Sequence, residues 1–170
     1  MKIWSAILVT LVFVLSACDK KAPAGFWTNY EKELIVQNIS DQGPWGGNRV
    51  IHWSSETAAT FDNEKIIEFA NKNNWTIIDS SDYSETDLKE WYDNEKPIFP
   101  IILTGFEPIE KDSSSYKDLP RWITNELTVY KFKTNWIVVY PGTDDSTIEN
   151  GFVIISKDRK EMTVYHLWGG

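Results

Sequence analysis

Two histidines, His52 and His166, are the only imidazoles in the chain, and a pair of imidazoles can supply a general base or two ligands to a metal ion. Neither stands in an HExxH or HxH pattern, and no cluster of carboxylates accompanies either one. Each therefore reads first as a strand residue and second as a candidate for acid–base chemistry. Ser54 and Ser55 follow His52 closely. A serine nucleophile needs a base that meets it in space and a sharp turn that presents its hydroxyl, and the Gly-x-Ser-x-Gly elbow is absent. Asp144, Asp145, Glu149 and Asp158 could offer oxygens to calcium, yet the stretch GTDDSTIENG lacks the spacing of an EF-hand loop. It reads as an acidic, solvated connection. No metal and no other cofactor is expected.

Recognition chemistry is better represented. Gly43-Pro44-Trp45-Gly46-Gly47 sets an indole in a turn-rich stretch, and an exposed indole gives a large contact face at small entropic cost. The alternative is a Trp45 that folds back onto the core as a lid. Trp27 and Trp168, near the ends of the expected fold, are weaker candidates for the same binding role. Stacking on sugar rings is conceivable for such a set. The remaining tryptophans fall inside expected helices and strands, where they fill a core that has no disulfide to support it.

The amino-terminal segment MKIWSAILVTLVFVLSAC carries one positive residue, Lys2, then an almost unbroken apolar run from Ile3 to Leu15 closed by small residues. That is the layout of a secretory signal, and the run is shorter than the roughly 20 residues of a lasting transmembrane helix. Leu15-Ser16-Ala17-Cys18 resembles the lipobox of bacterial lipoprotein precursors, in which an aliphatic residue and two small ones precede the lipidated cysteine. The resemblance covers about the first 20 residues only. It implies a diacylglyceryl group on the Cys18 thiol, cleavage just before it and acylation of the new amino terminus. One acyl chain gives marginal anchoring at about 0.8 kcal/mol per buried methylene, whereas two or three hold permanently. The alternative is an ordinary signal peptide with an incidental thiol. Asp19 resembles the signal that keeps enteric lipoproteins in the inner membrane, and Lys20 and Lys21 depart from it. Both membranes stay open.

The composition narrows the classes further. The chain has 170 residues, with 17 Lys and Arg against 25 Asp and Glu, a net charge of −8. Loss of residues 1–17 removes Lys2 alone among the charged residues, which takes −8 to −9. An acidic chain without concentrated Lys and Arg is a poor match to nucleic acid. A single cysteine permits no intrachain disulfide.

The elements that must position these residues follow from periodicity and turn chemistry. Residues 1–17 form the leader, residues 18–25 the lipidated cysteine and a flexible tether (DKKAPAG), and residues 26–170 one globular domain. ELIVQNI (33–39) and NRVIHW (48–53) flank a loop over 40–47 and predict a hairpin. Asp62 as N-cap, Glu64 in the first turn, the Phe61–Ile66 staple and Asn73-Asn74 at the end predict a helix. WTII (75–78) predicts a strand, and Ser84 with Asp87 starts a second, shorter helix. PIFPIIL (97–103) reads as an edge or irregular segment because of its prolines. KDSSSYK (111–117) reads as a loop, and residues 119–125 as one short helical turn.

LTVYKFK (127–133), WIVVY (136–140), GFVIIS (151–156) and EMTVYHLW (161–168) predict four consecutive antiparallel strands, with LTVYKFK at an edge and WIVVY and GFVIIS covered on both faces. The expected fold class is α+β: two or three short helices packed on a mainly antiparallel sheet that ends in a four-stranded meander. The expected function is a lipid-anchored protein of the bacterial cell envelope, periplasm-facing, that binds another macromolecule without catalysing a reaction. A basic protein is the favoured partner because the net charge raises encounter rates with cations. The alternatives are an envelope hydrolase or glycan-binding protein using His52 or His166 with a carboxylate, and a structural lipoprotein that assembles envelope complexes.

Overall fold

A computed structural model describes residues 23–92, 122–139 and 144–169. Cys18 and the leader lie outside these residues, as do the segment 97–103 and the loop 111–117. Eight strands make one sheet: β1 (Ile35–Gln42), β2 (Gly46–Ser54), β3 (Thr76–Tyr83), β4 (Leu127–Lys133), β5 (Val138–Val139), β6 (Ser146–Thr147), β7 (Gly151–Ser156) and β8 (Glu161–Gly169). The main path runs β1-β2-β8-β7-β4-β3, all antiparallel. β5 pairs β6 and touches β8 in parallel at Val138–Gly169.

The expectation of an α+β domain is overturned: the molecule is nearly all-β. Among the described residues its α-helices are α1 (Asn63–Lys72) and α2 (Glu85–Tyr92). α1 buries Ile66 and Ala70 against one face, and α2 sets Leu88 on the other. The cover assigned to further helices comes instead from an aromatic segment with two single turns of 3₁₀ helix, Gly25–Asn29 and Lys32–Leu34. Its Trp27 ring lies 5.3–6.4 Å from the rings of Tyr30, Trp53, Phe69 and Trp75. Large indoles bury as much area from irregular backbone as a helix face does with aliphatics. Residues 23–25, expected to end the tether, are buried with this segment, and Ala24 joins the core.

The four-stranded meander is also corrected. β4 pairs directly with β7, and WIVVY supplies only the two-residue β5 outside the main path. β4 is no edge, for β3 closes its other side, and Lys131 is accommodated by an ion pair with Glu149 at 2.8 Å. β7 is as expected, with all six residues buried. No helical turn forms over the described residues 122–125 of the segment 119–125.

Local signals held where the chemistry was explicit. Asp62 caps α1 by accepting from the Lys65 N–H at 3.1 Å, and Asn74 takes the left-handed φ of 64° that follows the helix. Ser84 and Asp87 cap α2 reciprocally, Ser84 N–H to the Asp87 carboxylate at 2.9 Å and Asp87 N–H to Ser84 Oγ at 3.3 Å. The two sheet faces carry separate cores. Ile51, Trp53, Met162, Val164, Val153, Ile155, Tyr130 and Phe132 meet the Trp27 segment and α1, while Val50, Tyr165, Phe152, Ile154, Leu127 and Val129 meet Leu88 and Ile123.

Candidate functional site

Strand parity separates the two histidines. His52 shares its face with Val50 of β2, while His166 shares the opposite face with Met162 and Val164 of β8. They cannot act on one substrate or one metal ion. His52 is buried, with Nδ1 2.9 Å from Thr163 Oγ1, Nε2 3.7 Å from Glu161 Oε1 and its ring stacked on Trp122 at 4.7 Å. The Glu161 contact is longer than a hydrogen bond. Burial holds the His52 pKa down at about 4, partly offset by a hydrogen bond at the Met162 backbone. Burial also pushes Glu161 up, with Asp158 adding to it. An imidazole with so low a pKa is a weak proton acceptor at neutral pH, and Thr163 is buried away from any substrate. The arrangement is a packed polar network.

His166 is fully buried on the other face, 5.1 Å from the Trp75 ring and 5.3 Å from Trp168. Its Nε2 lies 3.4 Å from Thr134 Oγ1, and Arg49 stands across from it in the β2–β8 register. Burial, then the Arg49 charge, hold its pKa down at about 3. It stays neutral and supports packing. Ser55 accepts a hydrogen bond from Thr60, and no base is within reach of it among the described contacts. The acidic candidates disperse as well: Glu149 pairs with Lys131, Asp158 accepts from Ser156 Oγ and the Lys160 N–H, and Asp144 and Asp145 are exposed. Among the described residues no group of three or more His, Cys, Asp or Glu could hold a metal ion.

The recognition candidates divide. Trp27 and Trp168 are buried, at 0% and 7% exposure, and pack in the core. Trp45 is 80% exposed. The β1–β2 hairpin is tighter than the loop expected over 40–47: pairing continues to Gln42–Gly47, Gly43 N–H donates to Gly46 O at 2.8 Å, and Pro44-Trp45 form the tip. Gly46 lies directly against Gly169 of β8, where a Cβ on Gly46 would come 2.3 Å from the Trp168 carbonyl oxygen. Only glycine permits this approach, and it fixes the Trp45 backbone on the end of the sheet.

Two further exposed residues at that end were not anticipated. Trp136 is 42% and Ile137 55% exposed, although WIVVY had been read as a buried strand. The cause is a buried clamp. Thr134 Oγ1 donates to Asn150 Oδ1 at 2.6 Å and accepts from the Trp136 N–H at 3.1 Å. Asn150 Nδ2 donates to the carbonyls of Trp136 at 2.9 Å and Leu167 at 2.7 Å. The Gly169 N–H then donates to Ile137 O at 2.7 Å. The backbone is thus tied down by polar groups while the Trp136 and Ile137 side chains keep solvent exposure. Gly169 touches Gly46 on one side and the Ile137–Val138 segment on the other, so Trp45, Trp136 and Ile137 surround one strand end. This gives the sheet end an exposed, apolar and aromatic character. No known family model, curated protein or solved structure matches the chain.

Proposed function

We propose that the chain is a lipid-anchored protein of a bacterial cell envelope that binds a basic macromolecule, and catalyses no reaction, through the sheet end bearing Trp45, Trp136 and Ile137. The observation that carries the binding half is the 80% exposure of Trp45 on a hairpin tip held in place by Gly46 against Gly169. A large rigid side chain fixed by backbone contacts loses little entropy on binding. The net charge of −8 favours a cationic partner. The anchoring half rests on Leu15-Ser16-Ala17-Cys18 and the apolar run before it. With residues 23–25 packed into the domain, the stretch from Cys18 to residue 23 spans at most about 18 Å. The domain then lies against its membrane.

The burial of the two histidines, which holds their pKa values down at about 4 and about 3, argues against the hydrolase alternative. Affinity capture of the acylated protein from its own envelope, at low and high salt and with Trp45→Ala beside it, tests the binding half. A basic partner that is released by salt and lost from the variant is expected. Full retention by the variant overturns the reading. Mass analysis of the mature amino terminus tests the anchor, and an unmodified Cys18 thiol refutes it.

A further inference from the structure

We propose that β1 is a strand-addition site: its outer edge pairs with an extended polypeptide segment carrying Lys or Arg. The inference rests on the basic-partner reading above and adds the mode of recognition. β1 stands at one edge of the sheet, exposed along seven of its eight residues, and among the described residues no strand pairs with its outer side.

The register shows which backbone groups face out. Gly43 and Gly46 are a hydrogen-bonded pair, so by alternation Asp41–Asn48, Ile39–Val50 and Gln37–His52 are bonded pairs too. Asn38, Ser40 and Gln42 therefore turn their N–H and C=O groups to the free edge, a ladder ready for another strand.

Edge strands are usually protected by proline, lysine, charges facing the edge or a central bulge. β1 has no proline and no lysine, and its one charge, Asp41, sits near the hairpin end. Its bulge lies at the start, between Ile35 and Gln37. The opposite edge, β3, is guarded by Asp79 and Asp82 and by a bulge between Ile77 and Asp79. Exposed Val36 (53%) and Ile39 (41%) supply side-chain contacts along β1.

Charge selects the occupant. Glu31, Glu33 and Asp41 lie on or just before β1, against Lys32 alone. A cationic segment complements them, and a second copy brings the same acidic charge. The edge is also continuous with the aromatic end, because β1 runs through Gln42 and Gly43 into Trp45. A strand laid on β1 reaches that indole.

The test uses the mature protein with ¹⁵N labelling and two capped heptapeptides, one alternating Lys and Val and one alternating Glu and Val. With the Lys peptide, the amides of Asn38, Ser40 and Gln42 slow their hydrogen exchange by about tenfold or more, and with the Glu peptide they do not. Ser40→Pro removes one outward donor and abolishes the protection. Should that variant fail to fold, a Lys-Val peptide N-methylated on the residues that face β1 must lose the effect on the wild-type protein. Unchanged exchange at the three amides overturns the proposal, as does protection at equal strength by both peptides. Protection that grows with protein concentration alone assigns the edge to a second copy and overturns it too. An envelope partner held through Trp45 that leaves the three amides unprotected refutes the edge and not the binding reading. Protection by the Lys peptide without any envelope partner does the reverse.

Discussion

Asn150→Ala removes the clamp that holds the exposed aromatic end together, and its cost follows from the hydrogen bonds it makes. The Asn150 amide is fully buried, accepts from Thr134 Oγ1 and donates to the carbonyls of Trp136 and Leu167, at 2.6, 2.9 and 2.7 Å. Truncation leaves one hydroxyl and two carbonyls to find new partners. Each buried polar group left unsatisfied costs about 1–3 kcal/mol. Thr134 retains its bond with the Trp136 N–H, and its hydroxyl can turn to the Trp136 carbonyl at 3.2 Å, so the Leu167 carbonyl loses its side-chain donor and the Trp136 carbonyl keeps only this longer bond. A total of about 3 kcal/mol results, equivalent to a fall in melting temperature of about 6–12 °C for a domain of this size. Urea unfolding followed by tryptophan fluorescence measures it. Amide exchange gives a second readout, since the Gly169 N–H bonded to Ile137 O should lose protection in the variant while the β7–β8 ladder keeps it. Asn150→Asp keeps the acceptor, loses both donors and buries a charge, so it should be at least as damaging. A loss below about 1 kcal/mol for Asn150→Ala, or unchanged protection at Gly169, would refute the claim that this amide organises the end of the sheet.

The other expectations concern pH, close packing and the contrast between exposed and buried indoles. His52 and His166 have pKa values lowered to about 4 and about 3 by burial. Their neutral forms stabilise the fold fully above the unfolded value of about 6.5, and that stability is lost as pH falls from about 6.5 toward 4. Glu161, pushed up by burial, opposes this by releasing strain when it protonates. Urea midpoints between pH 7 and pH 4 should drop, and imidazole NMR shifts should stay flat above pH 5; a ring that titrates near 6.5 contradicts the packing described. Gly46→Ala should cost about 1–3 kcal/mol in urea, because its Cβ would stand 2.3 Å from the Trp168 carbonyl oxygen, and a neutral result would mean the hairpin tip is not held there. Trp45→Ala should change stability by less than about 0.5 kcal/mol, whereas Trp53→Ala should cost about 3–5 kcal/mol, since Trp53 is fully buried and donates through Nε1 to Tyr30 O at 2.8 Å. Equal melting temperatures for the two variants would contradict the placement of these indoles.

The parts of the fold that were legible in sequence are those set by local chemistry. Asp62, Phe61 and Ile66 mark α1 because a cap and a staple act within one turn. GFVIIS reads as a central strand because six consecutive buried residues need cover on both faces. What was not legible depends on groups distant in sequence. WIVVY has the composition of a core strand, yet Thr134 and Asn150, 16 residues apart, tie its backbone so that Trp136 and Ile137 emerge. LTVYKFK carries lysines that suggest an edge, and only the Lys131–Glu149 pair shows how an inner strand tolerates one of them. Trp27 reads as a free candidate because it stands near an end of the expected fold, but its ring contacts those of Trp53, Trp75 and Phe69. Of the candidate site, Trp45 alone was readable, since Gly43, Pro44 and Gly46 force a turn that presents it. The opposite faces of His52 and His166 follow from register, which a single sequence does not reveal.

The most direct test of the binding reading is photo-crosslinking in intact cells from position 45, with a photoreactive phenylalanine analogue replacing Trp45 and a control at Glu64, an exposed position on α1. A single basic envelope protein crosslinked from position 45 and not from position 64, in the membrane fraction, is the expected result. Labelling of the same proteins from both positions, or none from position 45, would contradict it.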